Sequence, residues 1–389
     1  MSGFWKVASA QEPSEFWEEG GRDVPDVTAP SSPGVARRVR PALADFEPYD
    51  PAFSPCEVNL SANENTHPMP EAVRAALREA VLRTPLNRYP DPLANELRDE
   101  LAAWHGVGRG NVMVGNGGDE ILFNLLFAFG GPGHVLVTTP PCFEEYKNFA
   151  RMCETEVVEV WRDGGDFSID ADALIEATRS ASIVMLTSPN NPTGNLVPSE
   201  LLRRLLDETD ALVLMDEAYV EFADDGSSFV PWVADNPRLM ILRTLSKAFG
   251  LAGLRCGYLI AHADVVDELA AVRQIYSEDV LAQTVAHVAV SMRGEFEPVV
   301  AHIVEERDRL VRMLGELPNV VQWPSSANFL LVRVPDAASV RARLRDEHSV
   351  LVRDFSYAPG LTDCLRITVG TTEENDRLVA AMAAILGGE

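Results

Sequence analysis

Leu239-Met-Ile-Leu-Arg-Thr-Leu-Ser-Lys247-Ala-Phe-Gly-Leu-Ala-Gly-Leu-Arg255 is the stretch on which the fold turns. It opens with an apolar run too short for a helix and then stops on polar and small residues. A strand without polar alternation is covered on both faces, which implies a largely parallel sheet between helices. Three further runs have the same design: Val135-Leu-Val-Thr138, Ile183-Val-Met-Leu-Thr187 and Ala211-Leu-Val-Leu-Met215. The four runs end in Pro140-Pro-Cys-Phe143, Ser188-Pro-Asn-Asn-Pro-Thr-Gly194, Asp216-Glu-Ala-Tyr219 and Thr244-Leu-Ser-Lys247. Ligands of open α/β sheets bind beyond the carboxyl ends of the strands, so these tails are expected to converge on one site. Between two of the runs, Ser199-Glu-Leu-Leu-Arg-Arg-Leu-Leu-Asp-Glu208 has helical period and an acidic start, which predicts a helix.

Outward from this centre, three regions are expected. Residues 1–50 form an acidic arm broken by Pro and Gly, with the aromatics Phe4, Trp5, Phe16 and Trp17 as a contrary sign. Residues 51–275 form a large α/β domain, the first part of which is expected to pack on the smaller one. Residues 276–389 form that smaller α+β domain. In it, Pro298–Leu314 is amphipathic, Phe329–Arg333 and Cys364–Val369 read as strands, and a helix from Thr372 to Leu386 closes the chain.

The chain has 389 residues, enough for two domains and a substantial core. Hydrophobic residues make up 46% and charged residues 24%, as in an ordinary globular protein. A formal net charge of −26 repels nucleic acid and anionic membranes and argues against both as partners. It also gives weight to arginines, because an anionic substrate then needs a locally positive pocket. The five cysteines are scattered without a C-x-x-C pair and the seven histidines do not cluster, so neither a disulfide framework nor a metal site is expected. No apolar run has membrane-spanning length and no signal peptide is legible, so a cytoplasmic location is expected.

Lys247 follows a buried strand and sits among small and apolar residues. Such surroundings strip water from an ammonium and lower its pKa, as an amine needs for attack on a carbonyl. Ser246 and Arg255 add a hydroxyl and a guanidinium suited to phosphate. Asp216 ends its own apolar strand, where a carboxylate is costly unless a cation meets it. The pyridinium nitrogen of pyridoxal phosphate is such a cation, and a helix-capping Asp is the plain alternative. Tyr219 and Asn191 lie where they can reach that cofactor's phenolic oxygen. Val114-Gly-Asn-Gly-Gly-Asp-Glu120 opens a helical stretch whose free amides suit a phosphate, although a simple tight turn reads the same way. Phe143 offers a face for stacking, or is a core phenylalanine.

In this order the residues resemble the fold-type I pyridoxal-phosphate aminotransferases, and among them the histidinol-phosphate aminotransferases. The resemblance rests on Ser188–Gly194, Asp216–Tyr219 and Arg243–Gly257. Leu60-Ser-Ala-Asn-Glu-Asn65, Asn87-Arg-Tyr-Pro-Asp91, Val352-Arg-Asp354 and Pro359–Thr371 add to it. It runs from about Val39 to the C-terminus. It implies that Lys247 bonds the cofactor, that Asp216 pairs with its ring nitrogen, and that Asn191 and Tyr219 hold its ring oxygen. It implies that Phe143 stacks on the ring, and that Gly118, Asp119, Ser246 and Arg255 hold the phosphate. Tyr89 would reach that phosphate from a neighbouring subunit, so a homodimer with shared sites is implied. Arg366 would grip a substrate carboxylate, while Arg353, Tyr49 and Asn328 would line the substrate pocket, Arg353 and Tyr49 toward a substrate phosphate. The implied substrates are L-glutamate and imidazole-acetol phosphate, giving 2-oxoglutarate and L-histidinol phosphate in histidine synthesis.

Two departures stand out: Thr66 where a proline is usual, and Ile275-Tyr-Ser-Glu-Asp279 where a Pro-Tyr segment is common. The second leaves substrate choice open. An aromatic amino acid aminotransferase of the same fold is the nearest alternative. A phosphorylated-amino-acid decarboxylase and a cofactor-binding regulator without turnover are more distant ones.

Overall fold

A computed structural model describes residues 39–43, 46 and 54–387. Tyr49 and nearly all of the expected N-terminal arm lie outside the described residues. Of the unit Met1–Pro48, the element described is a 3-10 turn at Pro41–Leu43. Residues Tyr49–Glu389 form one compact unit containing two sheets.

In chain order the strands are β1 Val58–Leu60, β2 Val112–Asn116, β3 Val135–Thr138, β4 Glu156–Glu159, β5 Ile183–Thr187 and β6 Leu212–Asp216. They continue with β7 Leu239–Thr244, β8 Cys256–Ile260, β9 Val321–Gln322, β10 Phe329–Arg333, β11 Val350–Asp354 and β12 Cys364–Thr368. The larger sheet has the order β2-β8-β7-β6-β5-β3-β4. It is parallel from β7 through β4, as the unbroken apolar runs predict, and antiparallel where β8 meets β7 and β2. The reversal has a simple cause: the segment 245–255 is too short for the dozen or more residues of a parallel crossover.

Alternate residues of the central strands enter two separate cores. Val184, Leu186, Val213, Met215 and Ile241 pack into one, while Ile183, Met185, Leu214, Met240 and Leu242 pack into the other. The predicted helix Ser199–Glu208 puts Leu201, Leu202, Leu205 and Leu206 into the first core. The helices Gly117–Phe129 and Glu145–Met152 cover the other face with Ile121, Leu122, Leu125, Tyr146 and Ala150. Each such aliphatic side chain contributes about 1.5–3 kcal/mol. A sheet gripped on both faces is a rigid base for the loops at its strand ends.

The smaller sheet has the order β1-β11-β12-β10-β9. β1 pairs in parallel with β11, so a strand from the N-terminal half is built into a sheet of C-terminal strands. That pairing brings the loop Ser61–Asn65 to the C-terminal residues. Thr66, one of the two departures, donates from Oγ1 to Glu374 Oε2 at 2.5 Å. Glu374 also belongs to the capping box of the helix Thr372–Leu386, so Thr66 ties this loop to a helix end. Among the described residues no helix is long and apolar enough to cross a membrane.

Candidate active site

The tails of β3, β5, β6 and β7 do converge. They enclose a cavity of about 380 Å³ together with the start of the helix Gly117–Phe129 and the loop before β8. Phe143 comes from the first tail, Thr187 and Asn191 from the second, Asp216 and Tyr219 from the third, and Ser246 and Lys247 from the fourth.

One end of the cavity is a cradle for an anion. Gly117 has φ +78°, and a Cβ there would lie 2.7 Å from Arg255 Nη2. A Cβ on Gly257 would lie 2.6 Å from the Gly118 nitrogen. Glycine on both sides lets backbone amides, a helix N-terminus and a guanidinium share a space that any side chain would fill. Asp119 holds Arg255 in place at 3.0 Å. The buried Ser246 hydroxyl accepts from Thr244 Oγ1 at 2.9 Å. The divergent segment 275–279 packs at this same end, where Asn116 Nδ2 donates to the Ser277 carbonyl at 3.1 Å.

The same cavity also holds a buried carboxylate. Asp216 is 6% exposed, and among the described residues no ion pair reaches it. Burial pushes its carboxyl up to about 6, against the pull of hydrogen bonds from Tyr146 and the Ala218 amide; Asp119 and Glu217 push the same way as burial. A buried carboxylate with no cation in contact fits a ligand that brings one.

Lys247 lines the cavity with both. It is half-buried at the cavity wall, and its amine donates to the Ala62 carbonyl at 2.9 Å. Desolvation lowers its pKa to about 8, with help from Arg366 and Arg255 and against Glu64 and Asp119. At pH 7 about a tenth of such amines are neutral, against about one in three thousand at the ordinary value. The rate at which cofactor-free protein captures an aromatic aldehyde is therefore expected to rise with pH to a plateau whose midpoint lies near 8. A midpoint near that of an exposed lysine would show that Lys247 is not the reacting amine.

Tyr219 points its ring at this amine, 5.9 Å from centroid to Nζ. Its hydroxyl accepts from Asn63 Nδ2 at 3.0 Å, which leaves the hydroxyl proton for a ligand oxygen. Phe143 is half-buried and meets Tyr146 edge to face at 5.5 Å. The residues present thus fit pyridoxal phosphate: an anion cradle, a ring-sized gap, a buried carboxylate and an amine of lowered pKa in one space.

A second cavity of about 50 Å³ adjoins the first, with Phe143 and Asn191 lining both. Its walls include Arg353, Arg366, Phe355 and Tyr357. Arg353 and Arg366 are register partners on β11 and β12. Like charges directly opposite are destabilising, so the pair suits an anion held between them. Arg366 is fastened from Nη1 to Asn191 Oδ1 and from Nη2 to the Ser61 carbonyl, both at 2.6 Å.

Nine of the ten cofactor residues expected from sequence line the larger cavity: Gly118, Asp119, Phe143, Asn191, Asp216, Tyr219, Ser246, Lys247 and Arg255. Tyr89 does not; it is 80% exposed and stacks on Tyr276 at 4.5 Å. Asn328 is not at the wall of either cavity. It sits one layer behind, fully buried, where its Nδ2 donates to the Asn63 carbonyl at 3.1 Å. The reason is positional: Asn328 immediately precedes β10, and its amide is used to brace the loop after β1. Asn63, Glu64, Tyr146 and Thr187 were not singled out from sequence. For Asn63 a signal existed, since it lies within the quoted Leu60–Asn65 motif. For Tyr146, on a helix, none did.

Residues 56–382 match the family described as aminotransferase class I and II. The histidinol-phosphate aminotransferase of Thermoanaerobacter sp. (strain X514) is 37% identical over 354 residues, covering 90% of this chain and 99% of its own. That of Thermococcus gammatolerans is 39% identical, covering 89% and 97%. The crystal structure of histidinol-phosphate aminotransferase from Sinorhizobium meliloti in complex with pyridoxal-5'-phosphate superposes with a TM-score of 0.82 at 24% identity, covering 90% of this chain and 98% of that one.

Proposed function

Because the chain belongs to the class I and II aminotransferases, which work with pyridoxal phosphate, we propose that it moves an amino group between L-histidinol phosphate and 2-oxoglutarate. The observation that carries the substrate reading is the paired guanidinium site of Arg353 and Arg366, opening beside Lys247's cavity. One pocket must accept a carboxylate from one substrate and a phosphate from the other, and two planar forks suit both anions.

When bound, the cofactor supplies an electron sink for charge developing at the substrate's α-carbon. The cradle of Gly118, Asp119, Ser246 and Arg255 would hold its phosphate, and Asp216 would set a negative charge against its ring nitrogen. Tyr219 and Asn191 would orient the ring oxygen, and Phe143 would cover a ring face. Lys247 Nζ is the base that takes the α-proton and the acid that returns it, a role open to an amine of lowered pKa. Arg366 grips the carboxylate of glutamate and, with Arg353, the phosphate of the other substrate. Two half-reactions through one site give ping-pong kinetics.

The test is a pair of half-reactions on the purified yellow protein. L-histidinol phosphate is expected to convert the cofactor to its aminated form rapidly, and L-phenylalanine slowly. The reverse preference would keep the chemistry and move the enzyme to aromatic substrates. Arg353→Ala should weaken kcat/KM for the phosphorylated substrate by about 30-fold or more while sparing glutamate, the cost of one charge-assisted contact pair. Equal losses for both would mean that Arg353 does not read the phosphate.

A homodimer belongs to this reading. Tyr89, Leu82, Leu86 and Ile275 are exposed apolar side chains, which supports a covering partner. Lys247→Ala and Tyr89→Ala protomers, each impaired alone, are expected to regain activity when mixed. No recovery would argue against sites shared between subunits.

A further inference from the structure

Tyr146 is fully buried on the helix Glu145–Met152, outside the cavity wall, and carries a hydroxyl into an apolar core. That hydroxyl lies 2.6 Å from Asp216 Oδ2 and 2.8 Å from Thr187 Oγ1. An ionised carboxylate can only accept, so the single tyrosyl proton is given to Asp216 and the tyrosyl oxygen accepts from Thr187. The chain then runs in one direction, Thr187 to Tyr146 to Asp216. Thr187 and Asp216 are register partners on β5 and β6, so the sheet sets their separation and the helix supplies the bridge. Asp216 Oδ1 is held independently, accepting from the Ala218 amide at 3.0 Å.

We propose that Tyr146 is the positioning residue that keeps Asp216 ionised and aimed at the cofactor's ring nitrogen. This rests on the reading of Asp216 as the partner of that nitrogen. The charged neighbours with the largest effects on Asp216 oppose its ionisation: Asp119 from the cradle helix and Glu217 from the next position, in addition to burial itself. Against them stand the two hydrogen-bond donors, and the tyrosyl one is charge-assisted and sits in a dry surrounding, where such bonds are strong. The tyrosine keeps its own proton. Burial and Asp216 hold its hydroxyl well above the ordinary range, with Cys142 acting in the same sense. Arg162, buried on the Cys142 side, feels Tyr146 but makes its hydrogen bonds to Thr139 and Phe167. Of the other titratable groups that line Asp216's cavity, Tyr219 has its own proton held by burial and stays neutral, and Lys247 is a cation below about pH 8. Loss of the Tyr146 donor would leave Asp216 with one amide against burial and two carboxylates, and a protonated Asp216 cannot hold a positive ring nitrogen.

The experiment uses Tyr146→Phe, which keeps the ring and its packing, and Thr187→Val, which removes only the second donor. In cofactor-free protein, the carboxyl infrared band of Asp216 is followed against pH and identified by its absence in Asp216→Asn. The midpoint is expected near 6 in the parent protein. It should rise by about one pH unit or more in Tyr146→Phe, and by less in Thr187→Val, where the tyrosyl donor is merely weakened. An unmoved midpoint in Tyr146→Phe overturns the proposal. In the loaded enzyme, Tyr146→Phe should lower kcat near pH 7 by about twofold for a one-unit rise and about tenfold for a two-unit rise, with KM little changed, and the deficit should shrink above the new midpoint. A loss of equal size at every pH would mean that Tyr146 only packs, which also overturns it. Retained transamination in Asp216→Asn would instead remove the reading of Asp216, while leaving the infrared result to stand or fall by itself.

Discussion

Lys247→Ala is expected to lower transamination by about 10⁴-fold or more, because proton transfer by a positioned base alone is worth about 10²–10⁴ and the covalent hold on the cofactor goes with it. The effect should lie in kcat, since the substitution leaves the cradle around Gly118 and Arg255 untouched. The visible band of the resting holoenzyme should vanish, while the fold, held by cores on both faces of the sheet, should not change. Normal turnover in this variant would sink the assignment of Lys247 and with it the mechanism. Added primary amines are a useful second measurement. Partial rescue by a small amine is expected, because the substitution leaves a cavity where the base stood; a variant that has misfolded would not respond.

Arg366→Ala is expected to reduce kcat/KM for both substrates by about 2–5 kcal/mol, or roughly 30- to 4000-fold. The guanidinium is 7% exposed and fixed by Asn191 and the Ser61 carbonyl. It lies 5.6 Å from the Phe329 ring centroid and 5.3 Å from that of Phe355. It is thus pre-oriented as a fork, so little ordering remains when a carboxylate arrives. Arg366→Lys should fail to rescue, because a point charge cannot replace two parallel N–H donors. A second consequence separates this variant from Arg353→Ala. Arg366 is the largest charge effect holding the Lys247 pKa down, so its loss should move the acid limb of the pH profile upward. Unchanged kcat/KM for glutamate would remove Arg366 from substrate binding. Unchanged kinetics with a shifted pH limb would recast it as a tuner of Lys247.

Arg353 and Arg366 lie on the boundary between local pattern and tertiary geometry. Both residues were legible as candidates, one in Val352-Arg-Asp354 and one in Pro359–Thr371. Their direct opposition across two antiparallel strands was not, because register depends on how the strands dock and not on the spacing between them in the chain. The same holds for Asn63. Its motif was visible, yet its hydrogen bond to Tyr219 spans more than 150 positions and exists because β1 joins the C-terminal sheet. Asn328 shows the reverse: a residue read as pocket-lining is turned inward to brace that same loop.

What the sequence alone determined is the chemistry at the strand tails. Apolar runs of four to six residues ending in Asp216, Ser246-Lys247 or Asn190-Asn191 specify a strand covered on both faces and a polar group at its carboxyl end, since both are properties of neighbouring residues. The tertiary structure decided the rest: the reversal of β8, the pairing of two arginines, and the bridge from Tyr146 to Asp216. Those contacts join residues from different elements, and their geometry is set by sheet register and by which helix face the two cores bury. Local pattern names the groups, and only packing sets the distances between them.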